Sequence, residues 1–194
     1  WSFDYLIGDT LPDLSNNNNF GIINRGPILK QGKKGNAIHL DGTQFVEINN
    51  KRFLDGSCNV TFSCWICPEF GETGKWQLLT ASDGFRPNYD PISFQFMDYK
   101  PFDFSFQTTI GENKAIRSHH NSFGKRLKKN EWQFWAVSLC ADENISILKI
   151  YVNGELIQTI DYLSNASTYQ PIGQGKLCMN YDRDMRFLLG SVDD

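Results

Sequence analysis

A chain of 194 residues with 40% apolar side chains, 14% of all residues being aromatic, has enough apolar material for one large β core, since sandwiches and barrels run to about 200 residues as single domains. A formal charge of -3 with both signs interspersed argues against nucleic acid as a partner, because phosphate binding needs a net basic face. No run of about 18 apolar residues is present, so no membrane insertion by a helix is expected.

In chain order, residues 1–4 read as an opening strand and 8–19 as a polar loop, in which Asp13-Leu14-Ser15 and four consecutive asparagines favour turns and left-handed positions. Residues 20–23 resume a strand-like run. A Gly/Lys-rich turn at 31–35 is followed by runs at 37–40 and 45–48, and Asp41-Gly42 between those two runs predicts a hairpin. In 60–67, Val60, Phe62, Cys64 and Ile66 share one face and Trp65 takes the other, and Pro68 ends the strand. Further strands are predicted at 76–80, 92–96, 102–107 and 115–118, separated by loops rich in Gly, Pro, Asn and Asp. Phe102, Phe104 and Phe106 alternate strictly, which places them together on a core face.

The run 132–140 then leads into the clearest local signal. In 148–159, Leu148, Ile150 and Val152 share a face, Leu156 and Ile160 continue it around Gln158, and Asn153-Gly154 joins the two runs. Both central residues of a type I′ turn need φ > 0, which Asn tolerates and Gly accepts freely, so an antiparallel hairpin is expected. Short runs at 176–179 and 186–189 come last. No window repeats apolar residues at i, i+3 and i+4 over three turns, so an all-β, two-sheet antiparallel sandwich is expected.

The five cysteines, Cys58, Cys64, Cys67, Cys140 and Cys178, cannot all pair within one chain and match no zinc spacing. Cys64 and Cys67, three apart on a strand, should face opposite sides, so Cys64 reads as a small buried thiol. Cys140 and Cys178 each end a strand-like run, and a bridge between them is a guess from position alone. Sequons at Asn59, Asn144 and Asn165 favour a secreted glycoprotein.

Several segments, in order, resemble the laminin-G-like, concanavalin A-like jelly-roll domains: Asp13-Leu14-Ser15 with Phe20-Gly21, residues 35–42, residues 60–68 around Trp65, Glu131-Trp132 to Leu139, Tyr151 to Gly154, and Leu189-Gly190-Ser191. Residues 62–68 and 132–157 are also similar to the lectin-like half of the clostridial neurotoxin receptor-binding region. The resemblance implies one jelly-roll domain over 1–194 that lacks its last strand, and the start at Trp1, without a methionine or a signal-like segment, leads to the expectation of a piece excised from a longer chain.

The resemblance also implies where a site would lie. Relatives often bind calcium where the 8–19 loop meets the C-terminal end, which makes calcium the candidate cofactor and Asp13, Asn16, Asn18 and Asp193 its candidate ligands. The alternative is a loop that satisfies its own backbone through Asx-turns. Aromatic rings stacking on sugars are usual for this fold, and the loop-borne Phe85, Tyr89 and Tyr99 are the candidate glycan contacts. The cations Lys125, Arg126, Lys128 and Lys129 could take sulfated glycans, although a solvated loop is the simpler reading. His119-His120 reads as a surface pair.

Jelly-roll glycosidases would carry alternating carboxylates flanking one glycosidic bond, and no such strand is present. His39, His119 and His120 sit in no nucleophile motif. The reading is a non-catalytic recognition module at the cell surface or outside the cell, with a glycan or a glycoprotein as partner. A structural or adhesive protein-contact module is the alternative.

Overall fold

The computed structural model describes residues 1–26, 28–41, 43–49, 59–69, 75–82, 92–97, 103–109, 115–120, 128–141, 145–163, 176–179 and 189–193. They form strands and no helix. The first five strands are β1 (Thr10–Leu11), β2 (Gly21–Asn24), β3 (Ile28–Gln31), β4 (Asn36–Asp41) and β5 (Phe45–Ile48). The next five are β6 (Asn59–Pro68), β7 (Lys75–Ser82), β8 (Ile92–Met97), β9 (Asp103–Thr109) and β10 (Ala115–His120). The last five are β11 (Gln133–Ala141), β12 (Ile145–Val152), β13 (Glu155–Leu163), β14 (Lys176–Met179) and β15 (Leu189–Asp193).

These strands make a jelly-roll β-sandwich of two antiparallel sheets. One sheet has eight strands in the order β1-β2-β5-β14-β7-β8-β9-β10, and the other has seven in the order β13-β12-β11-β6-β15-β4-β3. Alternation supplies the core. Cys64, Ile66, Trp135, Val137, Leu148, Ile150, Val152 and Val192 of the seven-stranded sheet are buried, as are Ile23, Val46 and Ile48 of the eight-stranded one. Each fully buried aliphatic side chain contributes about 1.5–3 kcal/mol.

The Asn153-Gly154 turn forms as expected, with φ of 51° and 82°. Its asparagine also reaches a third strand: the Asn153 N–H donates to Phe134 O at 2.7 Å, and Asn153 Oδ1 accepts the Phe134 N–H at 2.9 Å. The outgoing strand departs from simple alternation. A bulge lets Ile150 pair with Gln158 while Tyr151 pairs with Leu156, so Leu156 is moved off the core face and is 48% exposed. One extra residue in a strand flips the faces of the residues beyond it.

The expected hairpin of 37–40 with 45–48 does not form. β4 pairs with β3 and β15, whereas β5 pairs with β2 and β14 in the other sheet. The short connection at Asp41 to Gln44 crosses between sheets and delivers Ile38 and Leu40 to one wall of the core, Val46 and Ile48 to the other. Residues 1–4 are not a strand. The Trp1 indole N–H donates to Asn19 O, and Ser2 and Phe3 are buried. β3 comes after a Gly-Pro segment and is exposed along its length as a sheet edge. The last strand begins at Leu189, later than expected.

Cys64 is buried and Cys67 half-buried on the opposite face, both as free thiols. Cys140 is a free, exposed thiol, so no bridge joins it to Cys178, which lies in the other sheet. Burial pushes the Cys64 thiol up, and burial with the nearby Glu69 carboxylate raises Cys67, which makes neither a ready nucleophile.

Candidate functional site

The outer face of the eight-stranded sheet is fixed by its described edge. On β5, Val46 and Ile48 are buried while Glu47 is half-exposed; on β2, Ile23 is buried while Ile22 is 38% exposed. Residues directly opposed across a sheet share a face. From Ile22 and Glu47 the register therefore carries one outer row to Cys178, Thr80, Ser93, Gln107 and Arg117. A second row joins Gln77, Gln95, Ser105 and His119. A third joins Lys75, Met97 and Asp103.

The intervening rows are apolar: Leu79, Phe94 and Phe106 in one, Trp76, Phe96 and Phe104 in another. This half of the sheet thus alternates aromatic and amide or hydroxyl residues in register over three strands. Amide and hydroxyl residue types each supply donors and acceptors, and their backbone positions are about 4.8 Å apart across strands and about 6.8 Å apart along them. Such a grid can meet many hydroxyls at once. Only Phe102, Phe104 and Phe106 stood out in the sequence; Ser105 and Gln107, the complementary positions of the same strand, carry the more informative pattern.

Among the described residues the register places two carboxylate residues on this face, Glu47 on β5 and Asp103 on β9. Four strand spacings separate them, about 19 Å, against about 5–9.5 Å for a glycosidase pair. On the seven-stranded sheet, His39 Nδ1 lies 3.2 Å from Ser191 Oγ and 3.7 Å from Glu69 Oε1. A triad needs the hydroxyl on one ring nitrogen and the carboxylate on the other. Here both approach the same nitrogen.

Of the four candidate calcium ligands, Asp13 and Asp193 accept hydrogen bonds from different segments. Asp13 Oδ1 accepts from the Ser15 N–H at 2.8 Å and the Ser15 hydroxyl at 2.6 Å, and its Oδ2 accepts from the Asn19 N–H at 2.8 Å. The Ser15 hydroxyl, chiefly, holds the Asp13 carboxyl below the usual carboxylate range. Asn16 and Asn18 are exposed and left-handed, with φ of 65° and 57°. Asp193 is fully buried at the end of β15, where its Oδ2 accepts the Lys34 N–H at 2.9 Å. Among the described residues no three His, Cys, Asp or Glu side chains group to hold a metal. Asp13 thus uses both carboxylate oxygens, and Asp193 one, on donors within the protein.

Asp193 instead seats the β3–β4 turn, together with Asp4. Asp4 Oδ1 accepts the Asn36 N–H at 3.0 Å, and the Ser2 hydroxyl donates to its Oδ2 at 2.9 Å. A Cβ at Gly32 would overlap the Asp193 carboxylate, and one at Gly35, where φ is +72°, would overlap that of Asp4. At this turn Lys33 Nζ also lies 5.2 Å from the centroid of Trp65. Phe85, Tyr89 and Tyr99, and the sequons at Asn144 and Asn165, lie outside the described residues. Of the basic loop, Lys128 and Lys129 are described and exposed. Asn59 is exposed at the start of β6.

A family model described as the concanavalin A-like lectin/glucanases superfamily, of laminin G type, matches residues 40–194. The chain belongs to this superfamily. Comparison with curated proteins by sequence returns no match. Solved structures similar to this superfamily member include domain 4 of AbnA, a GH43 extracellular arabinanase from Geobacillus stearothermophilus in complex with arabinotriose, at 20% identity and a TM-score of 0.66 over 100% of this chain and 87% of that one. The carbohydrate-binding module CBM40 of a Ruminococcus gnavus IT-sialidase, bound to α2,3-sialyllactose, shares 15% identity at a TM-score of 0.51 over 87% and 89% of the two chains. The binding domain of botulinum neurotoxin DC, in complex with SialylT, shares 13% identity at a TM-score of 0.59; 96% of this chain covers 47% of that one. At these identities the likeness is one of fold. No helix among the described residues is long and apolar enough to cross a membrane.

Proposed function

We propose that the chain is a non-catalytic glycan-recognition module of an extracellular protein, and that it reads sugar hydroxyls on the outer face of the eight-stranded sheet. The observation that carries this is the pair of amide and hydroxyl rows, Thr80-Ser93-Gln107 and Gln77-Gln95-Ser105. Aligned polar residues on three neighbouring strands offer many hydrogen-bond sites without the charge a nucleic acid would need. The fold is one on which domains have been solved with arabinotriose and with sialyllactose. The distance between Glu47 and Asp103 supports a binding role over hydrolysis.

A glycan array followed by calorimetry on the retained sugar tests the proposal. Gln95→Ala and Gln107→Ala are each expected to weaken binding about fivefold, the worth of one neutral hydrogen bond, with unchanged melting. Binding curves with and without a calcium chelator should coincide. A double variant that binds like the parent protein, or an array without retained sugars, overturns the reading.

A second reading rests on β3. All four of its residues are exposed on the edge of the seven-stranded sheet, with Ile28 and Leu29 on opposite faces, and such an edge can add a strand from another chain. Sedimentation velocity tests it: concentration-dependent association that Leu29→Lys abolishes supports protein contact, and a monomer at all concentrations removes self-association through β3.

A further inference from the structure

The outer face of the seven-stranded sheet carries a different chemistry from the polar rows. On the side away from the buried Cys64, Trp135 and Val152, three half-buried aromatic rings emerge on neighbouring strands: Trp65 on β6, Phe134 directly across from it on β11, and Tyr151 on β12. Tyr151 shares its row with the small side chains of Ala136 and Ser63, and Leu156 beyond it, 48% exposed, extends the apolar surface. Trp65 and Phe134 stand 5.4 Å apart between ring centroids, tilted by 55°. Both are held in place. The Phe134 backbone makes two hydrogen bonds with Asn153, and Lys33, on the turn seated by Asp4 and Asp193, sets its ammonium 5.2 Å from the Trp65 centroid. The next outer row, Thr61, Ser138 and Lys149, is polar.

We propose that Trp65, Phe134 and Tyr151 form a second carbohydrate site, a stacking platform for a short chain of hexopyranoses that gather ring hydrogens on one face, as β-linked glucose and galactose do. Those hydrogens carry partial positive charge and meet the negative face of an aromatic ring, the kind of face over which the Lys33 ammonium already lies. Hydroxyls at the rim of the sugar then meet Lys33 on one side and Thr61 and Ser138 on the other, side chains that supply donors and, for the hydroxyls, acceptors. Size favours a sugar over a protein partner. The rings span two strand spacings, about 9.6 Å, by one two-residue step, about 6.8 Å, whereas a stable protein contact covers about 800 Å² on each partner. Rings fixed before binding lose little freedom on binding. The site is separate from the polar rows on the other sheet, and either can stand without the other.

Saturation-transfer NMR and calorimetry with cellotriose and lactose test this. At least one of the two should bind, with the strongest transfer to its axial ring protons. Phe134→Ala and Tyr151→Leu should each weaken that sugar about tenfold, the scale of one lost stacking ring, and Lys33→Ala about threefold. Tyr151→Phe keeps the ring and should bind like the parent protein. Tyr151→Leu keeps an apolar side chain, so weakened binding with unchanged melting separates lost stacking from lost folding. Gln95→Ala with Gln107→Ala should leave these sugars bound as before. Parent-like affinity in Tyr151→Leu and Phe134→Ala, or a loss confined to the glutamine variant, overturns the inference and leaves the polar rows as the glycan face. Absence of binding to both sugars overturns it as well. Concentration-dependent association in sedimentation velocity that Tyr151→Leu abolishes would show a second copy covering the platform, which also overturns it.

Discussion

Asp193 Oδ2 accepts the backbone N–H of Lys34 at 2.9 Å, and the Asp193 side chain is fully buried. A buried charge-assisted hydrogen bond that ties a sheet-interior strand to a hairpin turn is a stability element, and its removal leaves a donor without its acceptor. Asp193→Ala is expected to cost about 2 kcal/mol and to lower the melting temperature by about 4–8 °C for a domain of this size. Asp193→Asn keeps an acceptor oxygen and should cost less. Thermal melts of both variants check this; equal losses would mean that the charge, not the acceptor, carries the effect.

Three aspartates, Asp4 and Asp41 exposed and Asp13 half-buried, are expected to contribute to the acid limit of stability. The Asn36 N–H is the main group holding Asp4 low, the Ser15 hydroxyl does the same for Asp13, and the Thr43 hydroxyl for Asp41. With the folded pKa below the unfolded one, the unfolded chain takes up protons first as the pH falls. The stabilisation is therefore present above about pH 4 and is lost as the pH drops through the folded values. Melting temperature should show no loss from these groups between pH 7 and 5, with the loss setting in below 4. Asp13→Asn should reduce the acid loss; an unchanged acid limb in that variant would show that Asp13 contributes nothing to it.

The bulge in β13 separates two leucines that look alike in sequence. Leu148 is buried and Leu156 is 48% exposed. Leu148→Ala should cost about 2–5 kcal/mol, whereas Leu156→Ser should stay within about 0.5 kcal/mol, both read from denaturant unfolding. A large loss at Leu156 would place it back on the core face and remove the bulge.

The free thiols differ in access. Brief alkylation of the native protein followed by peptide mapping should label Cys140 and spare Cys64, which should react only in denaturant. Rapid labelling of Cys64 without denaturant would show that β6 opens readily.

Local chemistry made much of this architecture legible in the sequence. Asn153-Gly154 specifies its turn by φ alone, and Val60 to Pro68 and the run after Trp132 alternate cleanly. Features that depended on distant partners were not legible. Nothing in residues 37–48 tells a hairpin from a crossing between sheets, because either connection buries Ile38, Leu40, Val46 and Ile48. Asp193 reads as a surface ligand until the Lys34 N–H is set against it. The polar rows were present as the complement of the alternating Phe residues, but their alignment exists only in the register of β7 to β10.

The turn at residues 32–35 is completed by contacts of very unequal span: Asp4 reaches Asn36 across 32 positions, and Asp193 reaches Lys34 across 159. Closing the longer loop carries the larger entropic cost, so this contact is expected in the late part of folding. Interactions that form after the transition state govern how slowly a protein unfolds more than how fast it folds. The Gly-Lys-Lys-Gly turn is thus expected to act as a kinetic latch on its Asp193 side: loosening Asp193 should shorten the lifetime of the folded sandwich while leaving its rate of assembly nearly unchanged.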